Sequence, residues 1–472
     1  MKLSILLQSI EKTLKKDDVE ITFITDDSRK CKPGSVFVCR DSAKEFVSDA
    51  LKNGAAAVVC ESELCEGCYV VENASQAYST LCRCFFGYPD RQLSIIAVTG
   101  TNGKTTVASM LSFILEMNGK KCGLLSTVVN RASEELPSDM TTPDSFELNR
   151  MLYQMVQIGN EYCVMEASSQ GLAEERLFGI RFKAAVFTNL TQDHLDYHKT
   201  FENYKNAKKK LFSCCETAVI NYDDEHSEEF IDCCSGKVFT YSVKHNEADF
   251  SAKSIRYFPD GLDYVLVANS LIHRVRLNLQ GDFNVENSMA AIICAMSLGL
   301  SVEDCASSLR TFSAVKGRLE LVETNTPFKV FIDYAHTPDS LRRVLMSLRR
   351  MCSGKLILVF GCGGDRDRQK RSRMGRIAVS LADTVIVTSD NPRTESSMAI
   401  IDDILSETAG IKTPVFVQEN RKKAIAFALA KAKKGDMVLL AGKGHEEYQI
   451  IGREKIPFDE RQIIDSILKE KH

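Results

Sequence analysis

The sequence predicts an α/β protein of three domains, spanning residues 1–90, 91–317 and 318–472. Three observations carry that expectation. A chain of 472 residues is long for one hydrophobic core and suggests about three. A strand-like run, Ser94-Ile95-Ile96-Ala97-Val98, feeds a glycine-rich turn and then a helix, the arrangement of a phosphate-binding loop. The last third repeats a unit of apolar strand and polar, glycine-bearing loop, as a doubly wound, Rossmann-like parallel sheet does.

Composition narrows the class. With 44% hydrophobic and 26% charged residues and a formal charge of −3, the chain offers no basic field for nucleic acid. No run approaches the roughly 18 apolar residues of a membrane span, and Met1-Lys2-Leu3-Ser4-Ile5-Leu6-Leu7 turns polar too soon for a signal peptide. A cytoplasmic monomer without membrane insertion is expected. The 17 cysteines form no spaced framework. The adjacent pairs Cys214-Cys215 and Cys233-Cys234 suit neither ordinary disulfides nor a zinc quartet and read as reduced thiols.

In the first domain, residues 20–25, 35–39, 55–59 and 69–71 read as strands, and 46–52 and 75–86 have helical spacing. Asp27-Ser28-Arg29 before Pro33-Gly34 reads as a polar turn. Tyr88-Pro89-Asp90 marks the boundary.

The central domain opens on Thr99-Gly100-Thr101-Asn102-Gly103-Lys104-Thr105-Thr106. Backbone N–H groups at a helix N-terminus point at an anion, Lys104 adds a charge, and a threonine hydroxyl can hold Mg²⁺. Val98 stands where the common phosphate loop has its first glycine, so the flanking strand and helix carry the reading more than the motif. Val107, Met110, Leu111, Ile114 and Leu115 recur at helical spacing and anchor that helix in a core. Apolar runs over 162–165 and 184–187 end in Glu166-Ala167-Ser168-Ser169-Gln170 and in the polar cluster 188–196. Ligands of an open α/β sheet sit at the carboxyl ends of its strands, so these clusters should meet in one crevice. Glu166 and His194 become candidate metal ligands beside Thr105. Residues 203–212 read as a helix with a solvated cationic face, in which no lysine stands out. Residues 213–275 read as a Cys-rich, strand-poor insertion that passes into alternation at 264–267 and 275–279. The run 281–287 reads as the lead-in to a helix over 288–298, with Asn287 placed to face a base or ribose.

In the last domain, apolar runs 330–332, 356–360, 384–387 and 437–440 each precede a charged, often glycine-bearing loop. These loops hold Asp333 to Asp339, Gly361 to Asp367, Thr388 to Glu395 and Ala441 to Glu446. A purely structural loop rarely needs Asp-Arg-Asp, Asn-Pro-Arg and Lys-Gly-His-Glu together. A Mg-nucleotide site flanked by two such domains fits activation of a carboxylate, with one domain holding the acid and the other the nucleophile.

With these stretches collected, the chain resembles the Mur ligases, and within them the members that add the third residue to the UDP-N-acetylmuramoyl peptide of peptidoglycan. The matching runs are TGTNGKTT from Thr99, MEASSQGL from Met165, FTNLTQDHLDYH from Phe187, AKKKLF from Ala207, GDFNVENSMAA from Gly281, GRLE from Gly317, DYAHTPDSL from Asp333, GCGGDRDR from Gly361, SDNPRTE from Ser389 and AGKGHEEYQ from Ala441. They span all three domains. The resemblance implies ATP and Mg²⁺ as cofactors, an N-terminal domain that binds the UDP substrate, a central ATPase domain, and a C-terminal domain that binds the incoming amino acid. ATP would phosphorylate the terminal carboxylate of UDP-N-acetylmuramoyl-L-alanyl-D-glutamate, and an amine would displace the phosphate.

The roles are carried over position by position. Gly100 to Thr106 would bind ATP with Asn287, Arg318, Asp333 and His336. Lys104 would hold the β- and γ-phosphates. Thr105 would sit on one Mg²⁺, and Glu166 and His194 would ligate a second. Lys208 matches a lysine that is carbamylated, an N6-carboxylysine acting as a metal ligand. Ser28 matches a uridine contact, and Thr141, Thr142, Ser168 and Arg176 match contacts to the muramoyl peptide. Asp390-Asn391-Pro392-Arg393 resembles the form found in members that add meso-diaminopimelate, where the arginine grips the distal carboxylate. The amino-acid site implied is Arg366, Asp390, Asn391, Arg393, Gly442 and Glu446, with Glu446 meeting the distal ammonium.

The chain departs from the family at Gln170, where histidine is usual, and at Glu174, which is often glutamine. It also lacks the longer glycine-containing loop after Phe37. The alternatives are an L-lysine-adding ligase, a folylpolyglutamate synthetase-like ligase, and a silent binding protein. Intact Lys104, Glu166, His194 and Lys208 argue against the last.

Overall fold

The computed structural model describes residues 1–15, 17–132, 134–138, 140–269 and 271–470. Its first sheet has four parallel strands in chain order, Phe23–Thr25, Ser35–Cys39, Ala55–Cys60 and Tyr69–Val70. Alternation sorts the side chains: Val36 and Val38 face helices Leu3–Ser9 and Ala74–Phe85, while Phe37 and Cys39 face Val47–Lys52. The first strand is shorter than the sequence suggested. Glu20 makes only an isolated bridge to Lys2. The polar turn is a 3₁₀ turn, Ser28–Lys30, capped by the Asp27 side chain.

The second sheet has eleven strands. The phosphate-loop strand Ser94–Thr99 lies between Tyr162–Glu166 and Ala184–Phe187, and both neighbours run parallel to it. The three polar clusters therefore leave adjacent strands at one edge. The region 213–275 corrects the strand-poor reading, because Thr217–Asn221, Lys237–Ser242, Phe250–Phe258, Gly261–Ala268 and Leu271–Leu277 all belong to this sheet. The last three form an antiparallel meander; Lys253, Arg256, Arg274 and Arg276 interrupt its first and third strands, while the middle one contains the stretch read at 264–267. The next helix is Phe283–Ser297, five residues earlier than expected, and Asn284 and Asn287 lie in its first turns.

The third sheet has six strands. An antiparallel edge strand, Glu320–Val322, is followed in space by parallel strands Lys329–Asp333, Met437–Ala441, Leu356–Phe360, Thr384–Val387 and Val415–Val417. Helices cover both faces, so the strands are apolar on both sides. Met437–Ala441, last of the five parallel strands in sequence, sits between the first two, and its Gly442–Glu446 loop emerges among the loops of its neighbours.

Candidate active site

A cavity of about 200 Å³ lies between the second and third sheets. One wall is the phosphate loop from Thr101 to Thr106, with Glu166, Asp193, His194 and Asn287. The other is Arg318, Asp333, Tyr334, His336 and Arg343. The loop is held from behind: Asn189 Oδ1 accepts from the Asn102 N–H at 2.9 Å, and the Thr188 hydroxyl donates to the Asn102 carbonyl at 2.6 Å. Gly103 has φ +90°, and a Cβ there would stand 2.6 Å from Asn287 Oδ1. Only glycine meets both conditions. Helix Lys104–Met117 then presents its N-terminus to the cavity.

Two lysines meet behind the loop. Lys104 Nζ donates to the carbonyls of Gly100 (3.0 Å) and Thr101 (2.9 Å), and Lys208 Nζ donates to the same Gly100 carbonyl at 2.8 Å. Lys208 is only 1% exposed, so the solvated-face reading of helix Phe201–Lys209 fails here and at buried Lys205. Burial, then the charge of Lys104, pushes the Lys208 pKa well below that of an ordinary lysine. Burial also lowers the Lys104 pKa, against the pull of Glu166 and Asp193. Neither Gly100 nor Lys208 lines the cavity itself.

Glu166 is fully buried at the end of its strand. Thr127 clasps its carboxylate, the N–H reaching Oε1 at 2.7 Å and the hydroxyl reaching Oε2 at 3.0 Å. Asp193 stands between His194 (3.4 Å) and His336 (3.8 Å). Burial would raise the Asp193 pKa, but His194, His336 and Lys370 pull it down to about 2. Desolvation at the cavity wall lowers His194, whose side chain is half exposed, and takes His336 to about 4, which favours the neutral imidazole in both. Asp333 accepts from the N–H groups of Leu319 and Ala335, and burial raises its pKa to about 6. Arg318 donates to the Thr105 hydroxyl at 2.9 Å and lies over the Tyr334 ring. Among the described residues no three His, Cys, Asp or Glu side chains form a metal cage.

Tyr334 links this cavity to a second loop cluster, its hydroxyl standing 3.5 Å from Glu446. There Asn391 Nδ2 donates to Glu446 at 2.8 Å, and Arg393 donates to the Gly364 carbonyl at 2.8 Å. Burial, and then the charge of Arg366, lowers the Arg393 pKa, as expected of two guanidiniums facing one volume. Gly442, at φ +110°, approaches Asp390 so closely that a Cβ would lie 2.5 Å from its carboxylate. Arg421, fully buried, donates to the Ala441 carbonyl and stands 3.9 Å from Asp390, which braces both loops.

The remaining positions fall in two places. Thr141 lines the central cavity. Beside it the Thr142 hydroxyl accepts from the Ser168 N–H and donates to the Glu166 carbonyl, while Arg176 donates to the Thr142 carbonyl at 2.6 Å. Gln170 and Glu174 bond to each other at 2.9 Å, and Glu174 also pairs with Arg176. Ser28 lies apart, on a pocket of about 710 Å³ with Asp27, Phe37, Phe46 and Asn53. Sequence reasoning missed Thr127, which sits in no motif. It also missed Asp193, Tyr334 and Lys443, which are inside recognised runs yet not separable from their neighbours by type alone.

A phosphate-loop sheet joined across a cavity to a parallel sheet with charged loops suits an enzyme that holds a nucleotide on one wall and a second reactant near the other. Residues 98–295 match the model of the Mur ligase middle domain, and residues 317–444 match that of the Mur ligase, glutamate ligase domain. The UDP-N-acetylmuramoyl-L-alanyl-D-glutamate–2,6-diaminopimelate ligase 1 of Clostridium acetobutylicum is 41% identical over 96% of each chain. The corresponding ligase of Caldanaerobacter subterraneus is 42% identical, covering 100% of this chain and 99% of its own. A solved structure of a ligase with that activity is 34% identical, with a TM-score of 0.71 over the whole of both chains. The chain belongs to the Mur ligase family and is an ATP-dependent ligase. The ADP complex of MurF from Thermotoga maritima, at 18% identity and a TM-score of 0.65, shares the fold.

Proposed function

We propose that this chain joins meso-diaminopimelate to the terminal carboxylate of UDP-N-acetylmuramoyl-L-alanyl-D-glutamate, in the cytoplasm and at the expense of ATP. The observation that carries the choice of amine is the gathering of Arg366 and Arg393 beside Asn391 and Glu446. Two guanidiniums favour a carboxylate at the far end of the amine, and lysine has none there.

The three domains divide the work. Residues 1–90 hold the UDP end at the Ser28 pocket, residues 91–317 the nucleotide, and residues 318–472 the amine. Lys104 leaves the loop carbonyls for the β- and γ-phosphates, which the free N–H groups of the loop also meet. Asn287, Arg318, Asp333 and His336 hold the nucleoside side. Thr141, Thr142, Ser168 and Arg176 bring the acceptor carboxylate to the γ-phosphate. The carboxylate attacks phosphorus, ADP leaves, and the amine displaces phosphate from the acyl phosphate to form the amide.

The donors on the cavity wall, Thr105, Glu166 and neutral His194, suit Mg²⁺, which takes few protein ligands and completes its shell with water and phosphate oxygens. Bound there, Mg²⁺ would offset charge on the transferring phosphoryl group. Lys208, whose pKa burial lowers, becomes a better nucleophile for CO₂ than an ordinary lysine. Its carbamate would add a second anionic oxygen ligand beside Glu166.

Phosphate release on the UDP-muramoyl dipeptide with diaminopimelate, lysine or glutamate tests the reading. Turnover with diaminopimelate alone is expected. Equal turnover of lysine would overturn the choice of amine.

A further inference from the structure

Lys443 is 0% exposed, yet it follows a glycine in a loop that faces the amino-acid site. Its ammonium donates to Asn391 Oδ1 at 3.0 Å and to Glu446 Oε2 at 3.2 Å. Asn391 Oδ1 accepts a second bond from the Ile450 N–H at 3.0 Å, so both of its lone pairs are taken. An ammonium and an N–H are donors only, so the atom facing them must be the amide oxygen. The nitrogen is thereby turned to Glu446, where one hydrogen is used at 2.8 Å and one is left. On Glu446, Oε2 receives both Lys443 and Asn391, while Oε1 has the Tyr334 hydroxyl at 3.5 Å.

We propose that Lys443 is a positioning residue that locks Asn391 as a hydrogen-bond donor and Glu446 as an acceptor, so that side by side they read the carboxylate and the ammonium of one amino-acid head. The inference deepens the proposed function and rests on it. A diamino dicarboxylic acid carries such a head at the end remote from the reacting amine. Lysine carries an ammonium there and nothing for the donor. Without Lys443 the Asn391 oxygen keeps only the Ile450 N–H and Glu446 Oε2 loses its cationic partner, so neither side chain is held as firmly in its reading position.

The test is steady-state kinetics on the full chain with Lys443→Gln and with Lys443→Met, an unbranched side chain that keeps the stem and lacks the ammonium. In either variant the KM for diaminopimelate should rise at least tenfold, with the KM values for ATP and the UDP-muramoyl dipeptide within twofold and kcat within threefold. The preference for diaminopimelate over lysine in kcat/KM should fall at least tenfold. Adding Lys443→Met to Asn391→Ala should cost little beyond Asn391→Ala alone. An unchanged amine KM, a parallel rise in all three KM values, additive losses, or failure of both variants to fold would each overturn the assignment. A wild-type enzyme that releases no phosphate with any diamino acid would instead sink the functional reading itself.

Discussion

Lys208 shows how far a single residue can depart from its type. A lysine sealed beneath a loop, with a second ammonium on the same carbonyl, is driven towards the free amine. Stripping CO₂ from the buffer should therefore lower kcat, and bicarbonate should restore it. Lys208→Arg, which has no nucleophilic nitrogen, should be slow with or without bicarbonate. Wild-type activity indifferent to CO₂ would leave the residue as a cation only. At the amine site, Arg393→Ala should raise the KM for diaminopimelate roughly a hundredfold, about 3 kcal/mol for a charged hydrogen-bonded pair, while the Kd for ATP stays unchanged. Gly442→Ala should cost roughly 1–3 kcal/mol in urea unfolding, from its left-handed backbone and the close carboxylate of Asp390. The residues around these positions were legible to different degrees. Glu166 ends its strand and Lys104 opens the helix after the neighbouring strand's loop, places where chemistry and topology agree. Lys208 is hidden in a run of three lysines, and only burial, which a lone sequence does not print, separates it from Lys209 and Lys210. Thr127 acts through its N–H and hydroxyl on a carboxylate 39 positions away, a relation that no spacing encodes.

Among elements, the parallel strands that end in polar clusters were the most legible, being plain apolar runs, whereas the parallel strands Cys122–Leu125, Thr217–Asn221, Lys237–Ser242 and Val415–Val417 went unread. The meander at 250–277 was legible only at 264–267 and 275–279, since one face meets water and a lysine and arginines break its first and third strands. The start of helix Phe283–Ser297 was misplaced because asparagines and a glutamate fill its first turns, where side chains serve a site rather than a core. The short helix Leu195–His198 carries a pH dependence of its own. His198 is buried against the Ser169 hydroxyl at 2.9 Å, and burial, with the charges of His194 and Lys208, lowers its pKa from 6.5 to about 4. Between those two values the unfolded chain binds the proton and the folded one does not, so stability falls as pH drops from about 6.5 towards 4. The loss should reach no more than about 3 kcal/mol. Urea unfolding at pH 7.5 and pH 5 should show it in the wild type and a smaller difference in His198→Gln. An equal difference in both proteins would move the effect to another group.

At the scale of the whole molecule, the second and third domains meet through polar side chains and through Phe283, which packs against the third sheet's core. Arg318 reaches Thr105, Asn102 donates to Asp339 at 3.1 Å, Arg343 meets Glu286 at 3.3 Å, and Arg373 donates to Gln192 at 3.1 Å. Arg350 also meets Asp282 and the Tyr257 hydroxyl, and His336 stands by Asp193; exposed polar contacts of this kind stabilise little singly. The double variant Arg318→Ala/Arg343→Ala should scatter X-rays as a larger particle than the wild type without nucleotide, and an unchanged radius of gyration would show that other contacts hold the seam. The first domain should stay in place, since it is tied to the second by the Ser79 hydroxyl on Ser145 and on the Glu175 carbonyl. A cavity whose two walls belong to different domains has a consequence for anything designed to fill it. An occupant finds its full site only in the fraction of molecules whose walls have met, and its apparent dissociation constant is the intrinsic one divided by that fraction. Unrelated compounds that touch both walls should then weaken by a common factor when the seam is loosened, whereas one that touches the phosphate loop alone should not. Ranking inhibitors across a pair of such variants would separate those that recognise the shut enzyme from those that recognise one wall.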